Sequence, residues 1–295
     1  MKKFLIIGGS GYIGRHLFEH LGPERAVATW YSRPFPGGVR FDPAGMGLQD
    51  LAPDPGQFSH AFILHGMTRV NDCVQDPATS ERVNVREILG LLDACATYGI
   101  KPIFTSSDLV FDGRRGLYAE TDPPNPLVRY GQQKRIIEKR LAESELACVV
   151  RLPKVYSAAH DGVSLFSVWW GALTANQPIR CAHDRIFSPI DVTDVVVGLT
   201  AIATRNLSGI FHLCGPQALS IMELYRLFQH RLPTGLREIE PAPCSINGLG
   251  FPETWPLDIS MDPGHVIQTT GLRPRNPASV ADDFFDKITP LARNH

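Results

Sequence analysis

Lys3-Phe4-Leu5-Ile6-Ile7-Gly8-Gly9-Ser10-Gly11-Tyr12-Ile13-Gly14 sets a short apolar run directly against a glycine-rich turn. The run reads as a buried strand, and residues 12–21 read as a helix opening on the glycines. Gly8, Gly11 and Gly14 make a G-x-x-G-x-x-G spacing. In such a strand–loop–helix unit one glycine permits the tight turn, one lets the backbone approach a pyrophosphate, and one lets helix and strand pack closely. The helix start then offers N–H groups and partial positive charge to the anion, from Gly11, Tyr12 and Ile13 onward. A glycine-rich turn without a ligand is the plain alternative, and the strand-to-helix context argues against it.

Further along, strands at 26–31, 61–64, 101–105 and 148–152 alternate with helices at 80–98 and 130–146. This rhythm predicts a Rossmann-type, doubly wound parallel sheet of the α/β class. In helix 80–98 the residues Val83, Ile88, Leu91, Leu92 and Cys95 are expected to face inward. Beyond about Pro153 the character changes: helical stretches at 164–175 and 194–203 flank a proline-rich segment, and 232–277 carries many prolines and glycines. The expected organisation is a dinucleotide-binding domain at 1–155, rejoined by 185–215. A smaller, irregular substrate domain is formed by 156–184 and 216–295.

Composition narrows the function. The 295 residues are 43% hydrophobic and 20% charged, with a formal net charge of −1. No basic field points to nucleic acid or an anionic membrane. The basic start is followed by only four apolar residues, too few for a secretory segment. The six cysteines are widely and irregularly spaced without a C-x-x-C pair, so no metal is expected and a reducing, cytoplasmic setting fits. His16 and His20 share a helix face without further ligands nearby.

The end of the second strand selects the dinucleotide. An acidic residue there would take the ribose hydroxyl of NAD. Here the strand ends Thr29-Trp30-Tyr31-Ser32-Arg33, and Ser32 with Arg33 suits a 2′-phosphate instead. NADP is therefore the expected cofactor, with NAD as the alternative.

Tyr130-Gly131-Gln132-Gln133-Lys134 puts a phenol and an ammonium on one helix face. A free phenol titrates near about 10, so proton exchange at neutral pH calls for a neighbouring cation. Phe104-Thr105-Ser106-Ser107-Asp108 ends an apolar strand with hydroxyls at the carboxyl edge, where open α/β sheets bind ligands. Each feature alone has a plain reading: a solvated helix face, or a turn-capping serine. Trp169-Trp170 can stack a nucleotide base or fill core.

Together with the approach Glu120-Thr121-Asp122-Pro123-Pro124-Asn125-Pro126, these segments resemble an extended short-chain dehydrogenase/reductase. More narrowly, Ser106-Ser107-Asp108-Leu109-Val110-Phe111 is similar to the S-T-D-Y-V-F segment of the dTDP-4-dehydrorhamnose reductases. The segments 151–156, 209–213 and 257–262 resemble that family in the same order. The resemblance implies that Tyr130 protonates a ketone oxygen, Lys134 lowers the phenol pKa and holds the nicotinamide ribose, and Ser107 positions the carbonyl. It further implies cofactor contacts at Gly66, Met67, Asn84, Pro153 and Val155, with Asp42 near the adenine. Arg69, Asp108, Lys154 and Arg185 are candidate substrate contacts. Leu109, Lys154 and Asn71 depart from the family pattern at positions implied to face the sugar, so the substrate pocket differs.

The leading expectation is an NADP-dependent reductase of a nucleotide-activated 4-keto sugar or similar carbonyl, with a homodimer among the allowed assemblies. An NAD(P)-dependent sugar-nucleotide epimerase is the alternative. Leu109 leaves no second acid for dehydration. A non-catalytic, dinucleotide-binding regulatory subunit is the second alternative, because relatives of the family include a regulatory partner of methionine adenosyltransferase.

Overall fold

A computed structural model describes residues 2–233 and 239–287; 234–238 and 288–295 of the expected substrate segment lie outside the described residues. In chain order the elements begin β1 (Lys3–Ile7), α1 (Tyr12–Leu21), β2 (Ala26–Trp30), β3 (Gly38–Arg40) and β4 (Phe58–Ile63). They continue with α2 (Val70–Gln75), α3 (Pro77–Glu81), α4 (Glu87–Thr97), β5 (Lys101–Ser107), α5 (Arg129–Leu141) and β6 (Cys148–Leu152). Then come β7 (Val155–Tyr156), α6 (Leu165–Thr174), β8 (Arg180–Ala182), β9 (Ile186–Phe187), β10 (Ile190–Asp191), α7 (Val192–Thr204) and β11 (Gly209–His212). The last are β12 (Leu219–Ser220), α8 (Ile221–Gln229), β13 (Ala242–Cys244), α9 (Gly264–Thr270) and α10 (Pro277–Asp286).

The chain forms two compact units. One holds the residues up to Val110 with Pro126–Arg151 and Val196–Phe211; the other holds Phe111–Asn125, Leu152–Val195 and the chain from His212. The first is built on a seven-stranded sheet of order β11-β6-β5-β4-β1-β2-β3. The pairs β1–β2, β1–β4, β2–β3 and β4–β5 run parallel. From β1 the chain winds outward to β2 and β3, returns to β4 on the other side, and winds on through β5 and β6. This is the Rossmann-type doubly wound sheet, and its direction reverses between β1 and β4, where such sheets open a crevice. Leu5, Ile7, Phe58, Ala61, Ile63 and Phe104 of the strands pack with Ile88, Leu91, Leu92, Cys95 and Ile137 of α4 and α5. Strands buried on both faces read as continuous apolar runs for this reason.

Three details differ from expectation. Helix 80–98 is broken by a π turn over Arg82–Arg86. The extra residue turns Asn84 and Val85 inward and leaves Val83 half-buried, whereas Ile88, Leu91, Leu92 and Cys95 face the core as expected. Helix 130–146 stops at Leu141. Glu143 and Glu145 follow immediately and would oppose the negative end of the helix dipole. The stretch read as a turn through Gly38 contains the edge strand β3, paired with β2 from Ala28↔Gly38 to Trp30↔Arg40. Its three residues are too few to show a periodicity.

The second unit has its own core. Phe166 and Trp169 of α6 stack with Tyr225 and Phe228 of α8 and with Phe284 of α10, ring centroids 4.8–6.1 Å apart. Trp169 is therefore core. Among the described residues, no helix is long and apolar enough to cross a membrane.

Candidate functional site

Gly8 turns the chain out of β1 at φ +90°, a left-handed conformation that glycine adopts without strain. A Cβ there would lie 2.8 Å from the backbone of Leu64 and His65, so the loop is pressed against the carboxyl end of β4. A Cβ on Gly14 would come within 2.4 Å of the Gly8 carbonyl oxygen, and one on Gly9 within 2.7 Å of Ala28 Cβ. The loop is pinned by Gly8 N–H to Thr29 Oγ1 (3.2 Å) and Ser10 N–H to the Thr29 carbonyl (3.2 Å). Gly11 caps α1 and brings no side chain over the helix start. The first turn, Tyr12 and Ile13 included, thus presents backbone at the sheet's switch point, and the cradle fits a pyrophosphate.

Ser32 and Arg33 are exposed just past β2. Asp42 is half-buried; its carboxylate accepts the Ala44 N–H at 3.0 Å, so it closes a local turn. Gly66 stands at φ +157° after β4. The next residue, Met67, donates its N–H to Asn84 Oδ1 (2.7 Å), and its carbonyl accepts from Asn84 Nδ2 (3.0 Å). Asn84 Nδ2 also donates to Gln133 Oε1 at 2.8 Å, and Gln133 donates to Ser80 Oγ at 3.0 Å. The π turn places Asn84 in this buried chain, as π turns commonly place residues at functional sites. Asn84 fastens the Gly66–Met67 loop to the helix that carries Tyr130.

Tyr130 and Lys134 are buried in successive turns of α5, at 8% and 3% exposure. Lys134 Nζ donates to the Thr105 carbonyl at 2.9 Å and lies 5.5 Å from the Tyr130 ring centroid. Ser107 Oγ donates to Asp108 Oδ1 at 2.9 Å and accepts the Leu109 N–H at 3.2 Å. Gly131 lets α5 approach this turn, because a Cβ there would sit 2.1 Å from the Leu109 carbonyl oxygen. Burial, with Cys73 and Asp108 nearby, holds the Tyr130 phenol above its ordinary pKa. Burial also pulls the Lys134 ammonium down to about 8, against the opposing pull of Glu138 and Cys73. Desolvation thus sets the direction of the phenol shift in the protein alone, opposite to the lowering expected from its lysine.

Sequence reasoning missed Glu138, a further turn along α5. It is buried and accepts from Ser106 Oγ (2.6 Å) and, in a two-point grip, from Arg151 Nε and NH2 (both 2.9 Å). The spacing Tyr130-x₃-Lys134-x₃-Glu138 was the available signal. Arg69 is exposed at the head of α2.

The remaining candidates belong to the second unit. Pro153 is buried, Lys154 exposed and Val155 half-buried, with Val155 paired to Ile190 in the two-stranded β7–β10 ladder. Arg185 is buried, donates to the Pro256 carbonyl and lies 5.4 Å over the Trp255 ring, which gives it a framework role. Glu120 accepts the N–H of the distant His212 at 2.8 Å, and Asp122 closes a local turn by accepting the Ala119 N–H at 2.7 Å.

Fold and site define a Rossmann-type α/β protein with a glycine cradle and a buried Tyr/Lys pair. The chain belongs to the family described as RmlD substrate binding domain, whose model matches residues 1–276. The bovine methionine adenosyltransferase 2 subunit beta is 26% identical over 298 residues, covering 94% of this chain and 84% of that protein. The dTDP-4-dehydrorhamnose reductase of Sinorhizobium fredii is 27% identical over 222 residues, 72% of each chain. The dTDP-4-dehydrorhamnose reductase of Bacillus anthracis, solved in complex with NADP, superposes with a TM-score of 0.82 at 20% identity, over 97% of this chain and all of that one (100%). That likeness establishes the fold.

Proposed function

We propose that the protein is an NADP-dependent reductase of a nucleotide-activated keto sugar or similar carbonyl, with NAD as the lesser cofactor. The observation that carries this reading is the buried Tyr130/Lys134 pair, held against the Thr105 carbonyl beside Ser107 and Asp108. Gly8, Gly11, Tyr12, Ile13 and Gly14 would cradle the pyrophosphate, and Ser32 with Arg33 the 2′-phosphate. The bound dinucleotide supplies a hydride. Ser107 orients the carbonyl, and Tyr130, held protonated by its burial, passes its phenolic proton to the carbonyl oxygen. Lys134 stabilises the phenolate left behind, provided it is still a cation. Purified protein mixed with NADPH and a panel of nucleotide 4-keto sugars tests the reading by loss of reduced-cofactor absorbance. Consumption with one of them is expected, and none with any would overturn it.

A second reading, a non-catalytic dinucleotide-binding subunit, is favoured by the share of chain matched. The methionine adenosyltransferase subunit beta covers 94% of the chain, against 72% for the curated reductase. Stoichiometric capture of a methionine adenosyltransferase, without carbonyl reduction, would decide for it.

A further inference from the structure

Glu138 is buried at 1% exposure, yet its carboxylate serves no substrate-facing role in the scheme above. It stands two turns beyond Tyr130 and one beyond Lys134 on the same face of α5. Consecutive residues of β5 meet this face: the Thr105 carbonyl accepts from Lys134, and the Ser106 hydroxyl donates to Glu138. On the far side Arg151 of β6 grips the same carboxylate at two points, and Arg135 approaches it at 3.4 Å.

We propose that Glu138 is a positioning residue for the Tyr130/Lys134 chemistry: its carboxylate locks α5 onto β5 and β6 and keeps Lys134 a cation. Few other groups can do so. Facing Lys134 are Tyr130 and Glu138 from its own helix, the Thr105 carbonyl and the Phe104 ring from β5, and the Cys73 thiol from α2. Asp108, after β5, acts on Tyr130. Glu138 brings a carboxylate fixed by Ser106 and Arg151, in a setting where burial works against the ammonium. The consequence for turnover rests on the reductase reading; the charge state of Lys134 does not.

The test follows lysine Cε and Nζ resonances by NMR as pH is raised, with Lys134→Met assigning the signal. Wild type is expected to titrate near about 8. Glu138→Gln should lower that midpoint by about one pH unit, and Glu138→Asp should return it toward wild type. Since Glu138→Gln strands a buried guanidinium, Glu138→Gln with Arg151→Met removes both charges in a better-tolerated background and should show a smaller downward shift, because a cation leaves with the carboxylate. Ser106→Ala loosens the docking without removing charge and should leave the midpoint in place. An unchanged Lys134 midpoint in either folded Gln variant overturns the proposal. Where the wild type reduces a carbonyl, the alkaline limb of kcat/KM should move down with the midpoint. Where it reduces none, the reductase reading fails while the NMR result still decides this one.

Discussion

Helix α5 and the end of β2 carry the two halves of the proposed site, and they are built differently. On α5, Tyr130, Lys134 and Glu138 are buried, and Lys134 and Glu138 are tied to β5 before any ligand arrives. Past β2, Ser32 and Arg33 stand in solvent, and Arg33 has no ion-pair partner among the described residues. Groups that must move a proton are fixed in advance, because positioning and desolvation lower the barrier only when settled before the reaction. A group that selects between two dinucleotides need only meet a phosphate, and an exposed guanidinium does so at little cost to folding.

The contrast can be broken first at Tyr130. Tyr130→Phe keeps the ring and removes the transferable proton; kcat is expected to fall by about 10²–10⁴ while NADPH affinity holds, read by steady-state kinetics and fluorescence titration. Equal loss of binding would place the phenol in recognition instead. Next is the cradle. Gly14→Ala drives a methyl to 2.4 Å from the Gly8 carbonyl oxygen, and should cost about 1–3 kcal/mol in denaturant unfolding together with dinucleotide binding. An unaltered midpoint would show that the loop yields freely.

Arg33→Ala tests the exposed half and should weaken NADPH roughly tenfold with little effect on NADH, the size of one charge-assisted contact. Equal weakening of both would assign Arg33 to the pyrophosphate. The gentlest probe is pH. The proposed reduction uses Lys134 as a cation, and burial pulls its ammonium down to about 8, so reduction should be retained below that value and lost as pH rises through it. A kcat/KM profile flat up to about 10, the range of an unperturbed lysine, would separate Lys134 from the chemistry.

How much was legible follows from how local each signal is. The β1–loop–α1 unit is written in adjacent residues, and Tyr130 with Lys134 in the pitch of a single helix, so both could be read directly. The π turn was not, because Arg82–Arg86 looks helical until Asn84 finds Met67 and Gln133. Gly131 gave no sign of its purpose, since the atom it makes room for belongs to Leu109. Arg185 read as a candidate substrate contact and is buried against Trp255, a residue 70 positions away, which composition could not reveal.

By itself, the order of residues determined an α/β winding, a glycine turn shaped for phosphates, and a phenol and an amine on one helix face. Apolar periodicity and glycine's φ range act over a few residues, and those survive in a linear reading. Only the folded chain decided that Glu138 would meet Arg151, that the Thr105 carbonyl would accept a hydrogen bond from Lys134, and that burial would move both pKa values. Desolvation and hydrogen bonding depend on which distant segments exclude water from a group, and that is settled when the sheet assembles.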